Sequence, residues 1–144
     1  MSLFNPLLWV VLFNLSGSVR PPVLSVKVLL ATKAAIASKQ AQRYDSAEVK
    51  RLFSKHDYRH FYLIGENALD FGATPSAKNK TVDLPNSQSA QFIYSGFANG
   101  QHVYEFSLPD YGVKAQIKAP PGRTFYQAGI RYNGGVIILR LRAD

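Results

Sequence analysis

An Asn-Gly pair set between two stretches of aromatic and β-branched residues constrains this chain more than any other feature in it. Gln91-Phe92-Ile93-Tyr94-Ser95-Gly96-Phe97 leads into Ala98-Asn99-Gly100-Gln101, and His102-Val103-Tyr104-Glu105-Phe106 follows. A two-residue hairpin turn needs positive φ at its central positions, which Asn and Gly adopt at least cost, and the flanking residue types suit a pleated, half-buried surface. The spacing therefore predicts a β-hairpin. Pro109-Asp110-Tyr111-Gly112 then opens a strand at 113–119, Pro120-Pro121-Gly122 stops it, a further strand covers 124–132, and Asn133-Gly134-Gly135 turns the chain into a last one at 136–142. Strands joined so closely pair in sequence order, so the second half reads as an antiparallel meander.

The first half has a different texture. Residues 23–43 are rich in Ala, Leu, Lys and Gln and contain neither Gly nor Pro, which predicts one long helix. The β-branched start, Val23-Leu24-Ser25-Val26-Lys27-Val28, also fits a strand feeding a shorter helix. Asp45-Ser46-Ala47-Glu48 resembles a capping box, with Asp45 as an acidic N-cap and Glu48 three positions on, and opens a second helix through Val49, Leu52 and Phe53 to about Lys55. Phe61-Tyr62-Leu63-Ile64 reads as a buried strand ended by Gly65. From Ala68 to Gln91, Gly72, Pro75, Asn79, Pro85 and Asn86 mark a long irregular loop, broken at most by a short strand near 81–84. The expected fold class is α+β, with N-terminal helices packed on one face of a C-terminal antiparallel meander sheet of four to six strands. At 144 residues it is expected to form one domain over 1–144, with an apolar segment at 1–18 and a loop at 68–91.

Charge supplies the functional direction. Lys and Arg number 17 against 9 Asp and Glu, an excess that favours polyanionic partners: RNA, DNA, an anionic membrane surface or an acidic protein. The absence of Cys excludes disulfides, thiolate zinc sites and cysteine nucleophiles. Leu7-Leu8-Trp9-Val10-Val11-Leu12-Phe13 is the most apolar run; the stretch 3–15 that contains it is shorter than the roughly 20 residues of a spanning helix. No Lys or Arg precedes it, as a signal peptide would require. Three roles fit it: a buried core element, a membrane or signal segment, and a docking surface for homo- or hetero-oligomers.

Strand alternation locates the cations. Period two places Val113, Ala115, Ile117 and Ala119 on one face and Lys114, Gln116 and Lys118 on the other. It turns Ile137, Leu139 and Leu141 inward, with Arg140 and Arg142 outward. In the strand between, it assigns Tyr126, Ala128, Ile130 and Tyr132 to the core and Arg123, Phe125, Gln127 and Arg131 to the surface. The expected nucleic-acid-binding face is thus Lys114, Lys118, Arg123, Phe125, Gln127, Arg131, Arg140 and Arg142, in which cations hold phosphates and a ring stacks on a base. RNA is favoured over DNA.

His56, His60 and His102 are the candidate catalytic groups for metal-independent RNA cleavage, which needs an acid, a base and a cation such as Lys114 or Arg123. The spacing His56-x-x-x-His60 suits two metal ligands on a helix, but no third ligand is specified, so neither a metal nor any other cofactor is expected. Nucleophile-elbow, Walker and dinucleotide-binding motifs are absent. Gly122-Arg123-Thr124-Phe125-Tyr126-Gln127-Ala128-Gly129-Ile130-Arg131-Tyr132 resembles the strand segment around the catalytic glutamate of barnase-like microbial ribonucleases. Gln127 stands where that pattern has its glutamate, so the resemblance carries no general base at this position. The competing expectations are an assembly subunit docking through 3–15, and a membrane-associated domain whose basic residues meet anionic headgroups.

Overall fold

From Leu24 to Val28 apolar and polar residues alternate, and from Val28 to Ala31 the apolar residues run unbroken. That is the pattern of a strand covered on one face at its start and on both faces further along. In the computed structural model, which describes residues 22–36, 42–72, 79–85 and 87–144, the segment is strand β1 (Val23–Thr32), central in a five-stranded sheet. The long helix expected over 23–43 is therefore overturned at both ends, since Gln42–Arg43 forms the short strand β2. Residues 37–41 lie outside the described residues, as does the apolar segment at 1–18.

The chain continues through α1 (Ala47–Phe53), a 3₁₀ turn at Ser54–His56, β3 (His60–Asp70), β4 (Asn79–Leu84), β5 (Gln88–Ala98), β6 (Gln101–Leu108), β7 (Val113–Ala119), β8 (Thr124–Tyr132) and β9 (Gly135–Ala143). One sheet has the order β2-β3-β1-β9-β8, the other β4-β5-β6-β7, and every pairing is antiparallel. The described chain is thus a two-sheet β-sandwich with one short helix, and the expected α+β arrangement of N-terminal helices on a single meander is corrected. The chain crosses between sheets after β3 and again at Pro120–Arg123, so β7 and β8 are not neighbours in one sheet. The expected loop at 68–91 is largely strand, because β3 runs through Gly65 to Asp70 and β5 starts at Gln88; residues 73–78 and 86 lie outside the described residues.

The inner faces pack together. Leu24, Val26, Val28 and Leu30 of β1 and Ile137, Leu139 and Leu141 of β9 meet Phe92 and Tyr94 of β5 and Tyr104 and Phe106 of β6 in one buried cluster. Phe92 and Phe106, paired in register, have ring centroids 5.1 Å apart. Burying side chains of this size contributes about 1.5–3 kcal/mol each.

Among the described residues, the opposite face of the five-stranded sheet is covered at one end only. There Leu29, Ala31, Phe61 and Ile138 form a second cluster, closed by Val49 of α1. The helix starts where expected, but its N-cap is Ser46, whose hydroxyl accepts from the Val49 amide at 3.3 Å. Asp45 instead takes Lys50 at 2.6 Å, a contact that holds its carboxyl below the usual range. No helix among the described residues is long and apolar enough to cross a membrane.

Candidate nucleic-acid interface

The sandwich divides the basic residues that alternation grouped together. Lys114 and Lys118 lie on the outer face of the four-stranded sheet, in register with Ser107 and Val103 of β6. That face also carries Glu105 and Asp83 at outward positions, so its charges balance. Arg140 and Arg142 lie on the outer face of the five-stranded sheet, on the other side of the molecule.

Strand β8 departs from strict alternation. Its register with β9 shifts between Ala128 and Ile130, and Gly129 between them has φ +117, a backbone that favours glycine. The extra residue reverses the facing upstream of it. Phe125, opposite Leu141, packs half-buried on the inter-sheet core, and Gln127 opposite Leu139 shares that orientation. Tyr126 faces outward instead, with Arg140 opposite it. Downstream the expected phase holds: Ile130 is buried and Arg131 is exposed, opposite Val136 at the far end of the same outer face. Arg123 lies in the crossing between sheets just before β8, exposed.

What the structure assembles is a polar floor beside the helix. In register across four strands stand Glu66, Lys27, Arg140 and Tyr126; the next row is Ala68, Ser25, Arg142 and Thr124. These rows form a shallow recess that includes Ser25, Lys27, Glu66, Arg140 and Arg142. Lys27 and Arg140, directly opposite, are like charges side by side, an arrangement that costs stability unless an anion offsets it. Lys27 makes no ion pair among the described residues; its ammonium sits 5.5 Å from the centre of the Tyr44 ring. An Arg140 guanidinium nitrogen lies 3.4 Å from the Thr124 hydroxyl, and Arg142 is 2.8 Å from the Asp144 carboxylate with both side chains about half exposed.

The helix end of this floor is held by Tyr126. Its ring meets Phe53 edge-on at 6.2 Å, and its hydroxyl donates to Glu48 of α1. Burial, and then the bond to Glu48, push the phenol up to about 12. The Glu48 read as a capping-box partner thus ties the helix to β8.

The three histidines do not meet. His60 begins β3 opposite Thr32, whereas His102 contacts the opposite end of that strand's span through Tyr94 and Phe71, one residue beyond Asp70. The length of β3 lies between the two ends. His102 is 5% exposed, shares a 3.0 Å hydrogen bond with the Tyr94 hydroxyl, and is held below its ordinary value by burial. His56 is exposed in the 3₁₀ turn near the His60 end. No cluster of three or more His, Asp or Glu side chains able to hold a metal occurs among the described residues.

Sequence reasoning missed Lys27, Tyr44 and Tyr126. Lys27 fell within the expected helix, although its alternation with Val26 and Val28 was the available signal. Tyr126 was assigned to the wrong face because Gly129 was not taken as a bulge. The chain matches no protein-family model, no curated protein and no solved structure.

Proposed function

We propose that the protein binds single-stranded nucleic acid, RNA in preference to DNA, on the helix-bearing side of the five-stranded sheet. The observation that carries this reading is the asymmetry of charge. The outer face of the four-stranded sheet sets Lys114 and Lys118 against Asp83 and Glu105, while the other side of the sandwich bears Lys27, Lys33, Arg51, Lys55, Arg131, Arg140 and Arg142. Of the acids on that side, Asp45 is engaged by Lys50, Asp57 by Arg59 and Glu48 by Tyr126; Asp144 takes up Arg142, and Glu66 stands opposite Lys27 in the recess itself. A cationic sheet face bordered by Tyr44 and Tyr126 suits a flexible strand, whose phosphates it pairs and whose bases meet aromatic edges. Duplex recognition generally sets a helix or ribbon into a groove, and α1, at seven residues, is packed on the sheet through Val49.

The test compares two double variants by fluorescence anisotropy over a salt series, using oligouridylate and oligothymidylate. Lys27→Gln with Arg142→Gln is expected to weaken binding and reduce the slope of log K against log salt by about 0.7 per lost single-strand phosphate contact. Lys114→Gln with Lys118→Gln is expected to leave both nearly unchanged. Equal losses from the two pairs, or none from the first, would overturn the assignment.

A further inference from the structure

At the far end of the outer face, beyond α1, three segments converge on a second basic recess. Gly135 begins β9 so close to β1 that a Cβ there would lie 2.3 Å from the Ala31 carbonyl oxygen. This contact presses the β8–β9 turn against the end of β1 and brings Lys33 beside it. The Arg59 amide donates to the Thr32 carbonyl at 3.0 Å, which draws Tyr58 to the same place. Lys33, Tyr58, Arg131, Tyr132 and Asn133 line the recess together with the turn backbone, and no acid is among the lining residues. Asp57, next to Tyr58 in sequence, lies 3.9 Å from the Arg59 guanidinium. The recess is shallow and open to solvent, with a volume of about 610 Å³.

Both tyrosines are anchored from below. Tyr58 packs half-buried on the cluster beneath α1, while Tyr132 packs on the inter-sheet core. Rings fixed at one edge and open to a cavity at the other offer a stacking surface at little entropic cost. Asn133, exposed at the left-handed turn position with φ 47, is one of the lining residues, and its side-chain amide can both donate and accept.

We infer that this recess is a mononucleotide subsite, in which Lys33 and Arg131 hold a phosphate, the Tyr58 ring packs on the base and Asn133 hydrogen-bonds its edge. The inference rests on the nucleic-acid reading and adds to it a place where one nucleotide of a bound strand is seated apart from the sheet floor.

The experiment titrates the full chain with uridine 5′-monophosphate at low salt, following backbone amide resonances, beside inorganic phosphate and the fluorescent oligouridylate. The nucleotide is expected to shift Lys33, Tyr58, Asn133 and Gly134 saturably, and more tightly than phosphate does. Arg131→Gln should weaken nucleotide and phosphate alike. Tyr58→Leu, which keeps apolar packing and removes the stacking ring, should weaken the nucleotide by about tenfold and leave phosphate unchanged. Nucleotide-independent spectra with oligouridylate still bound at Lys27 and Arg142 would overturn the subsite alone; loss of both binding events would overturn it together with the reading it rests on. Equal shifts and affinities for nucleotide and phosphate would also overturn it, since the base would then contribute nothing.

Discussion

Two tyrosines that touch in the inter-sheet core should respond to the same chemical edit with opposite signs. Tyr94 and Tyr104 have ring centroids 5.3 Å apart, and Tyr104 is fully buried against Phe71 at 5.4 Å. The Tyr94 hydroxyl shares its bond with His102, whereas the Tyr104 hydroxyl has no hydrogen-bond partner among the described residues. A buried hydroxyl without a partner costs about 1–3 kcal/mol of desolvation. Tyr104→Phe removes that cost and forfeits the dispersion contacts of one oxygen, a few tenths of a kcal/mol. The net expectation is a gain of about 1 kcal/mol, or roughly 3 °C in Tm for a chain of this length. Tyr94→Phe leaves the buried His102 Nδ1 unpaired and should cost about 1–2 kcal/mol. Urea unfolding followed by tyrosine and tryptophan fluorescence measures both, with unchanged m-values showing that the unfolded state is unaffected. A Tyr104→Phe protein less stable than the parent by about 1 kcal/mol or more would refute the reasoning, because the hydroxyl would then have to be satisfied.

Three other consequences can be checked with the same unfolding assay. His102 is held below its ordinary value of 6.5 by burial, so the unfolded chain takes up its proton first; its contribution should be fully present above about pH 6.5 and decline as pH falls below it, with the His102 ring resonances titrating below 6.5. Gly135→Ala should destabilise by about 3 kcal/mol or more, since the Ala31 carbonyl facing the new methyl is backbone in a paired strand. Ser46→Ala should cost about 1 kcal/mol and Asp45→Ala distinctly less, which distinguishes the hydroxyl cap from the acidic one that the sequence suggests.

Much of the second half was legible because turn chemistry is local. Asn99-Gly100 and Asn133-Gly134 have the positive φ values their turns demand, and the strands on either side begin and end within a residue or a few of where the pattern puts them. The switch between sheets at Pro120–Arg123 was not legible, because the same turn residues serve a hairpin and a crossing. That single difference separates Lys114 and Lys118 from Arg140 and Arg142. In β1, composition misled: Ala, Leu and Lys favour helix, yet burial on both faces around Leu29 and Leu30 decides the segment, and no local propensity encodes a covering sheet or helix. Lys27 was hidden by that misreading. In β8 the signal was present in Gly129, a glycine inside a strand pattern, which marks a bulge and reverses the side chains before it.

The proposed strand-binding surface is the floor of Ser25, Lys27, Arg140 and Arg142 beside α1. Mapping backbone amide shifts on the full chain during titration with a short oligouridylate tests it most directly. A strand bound there should produce progressive, salt-sensitive shifts along 25–27, 124–126 and 140–142, with Gln91, Ser107 and Gln116 on the opposite sheet unmoved. Shifts confined to Gln91, Ser107, Lys114 and Gln116, or none anywhere at low salt, would contradict it.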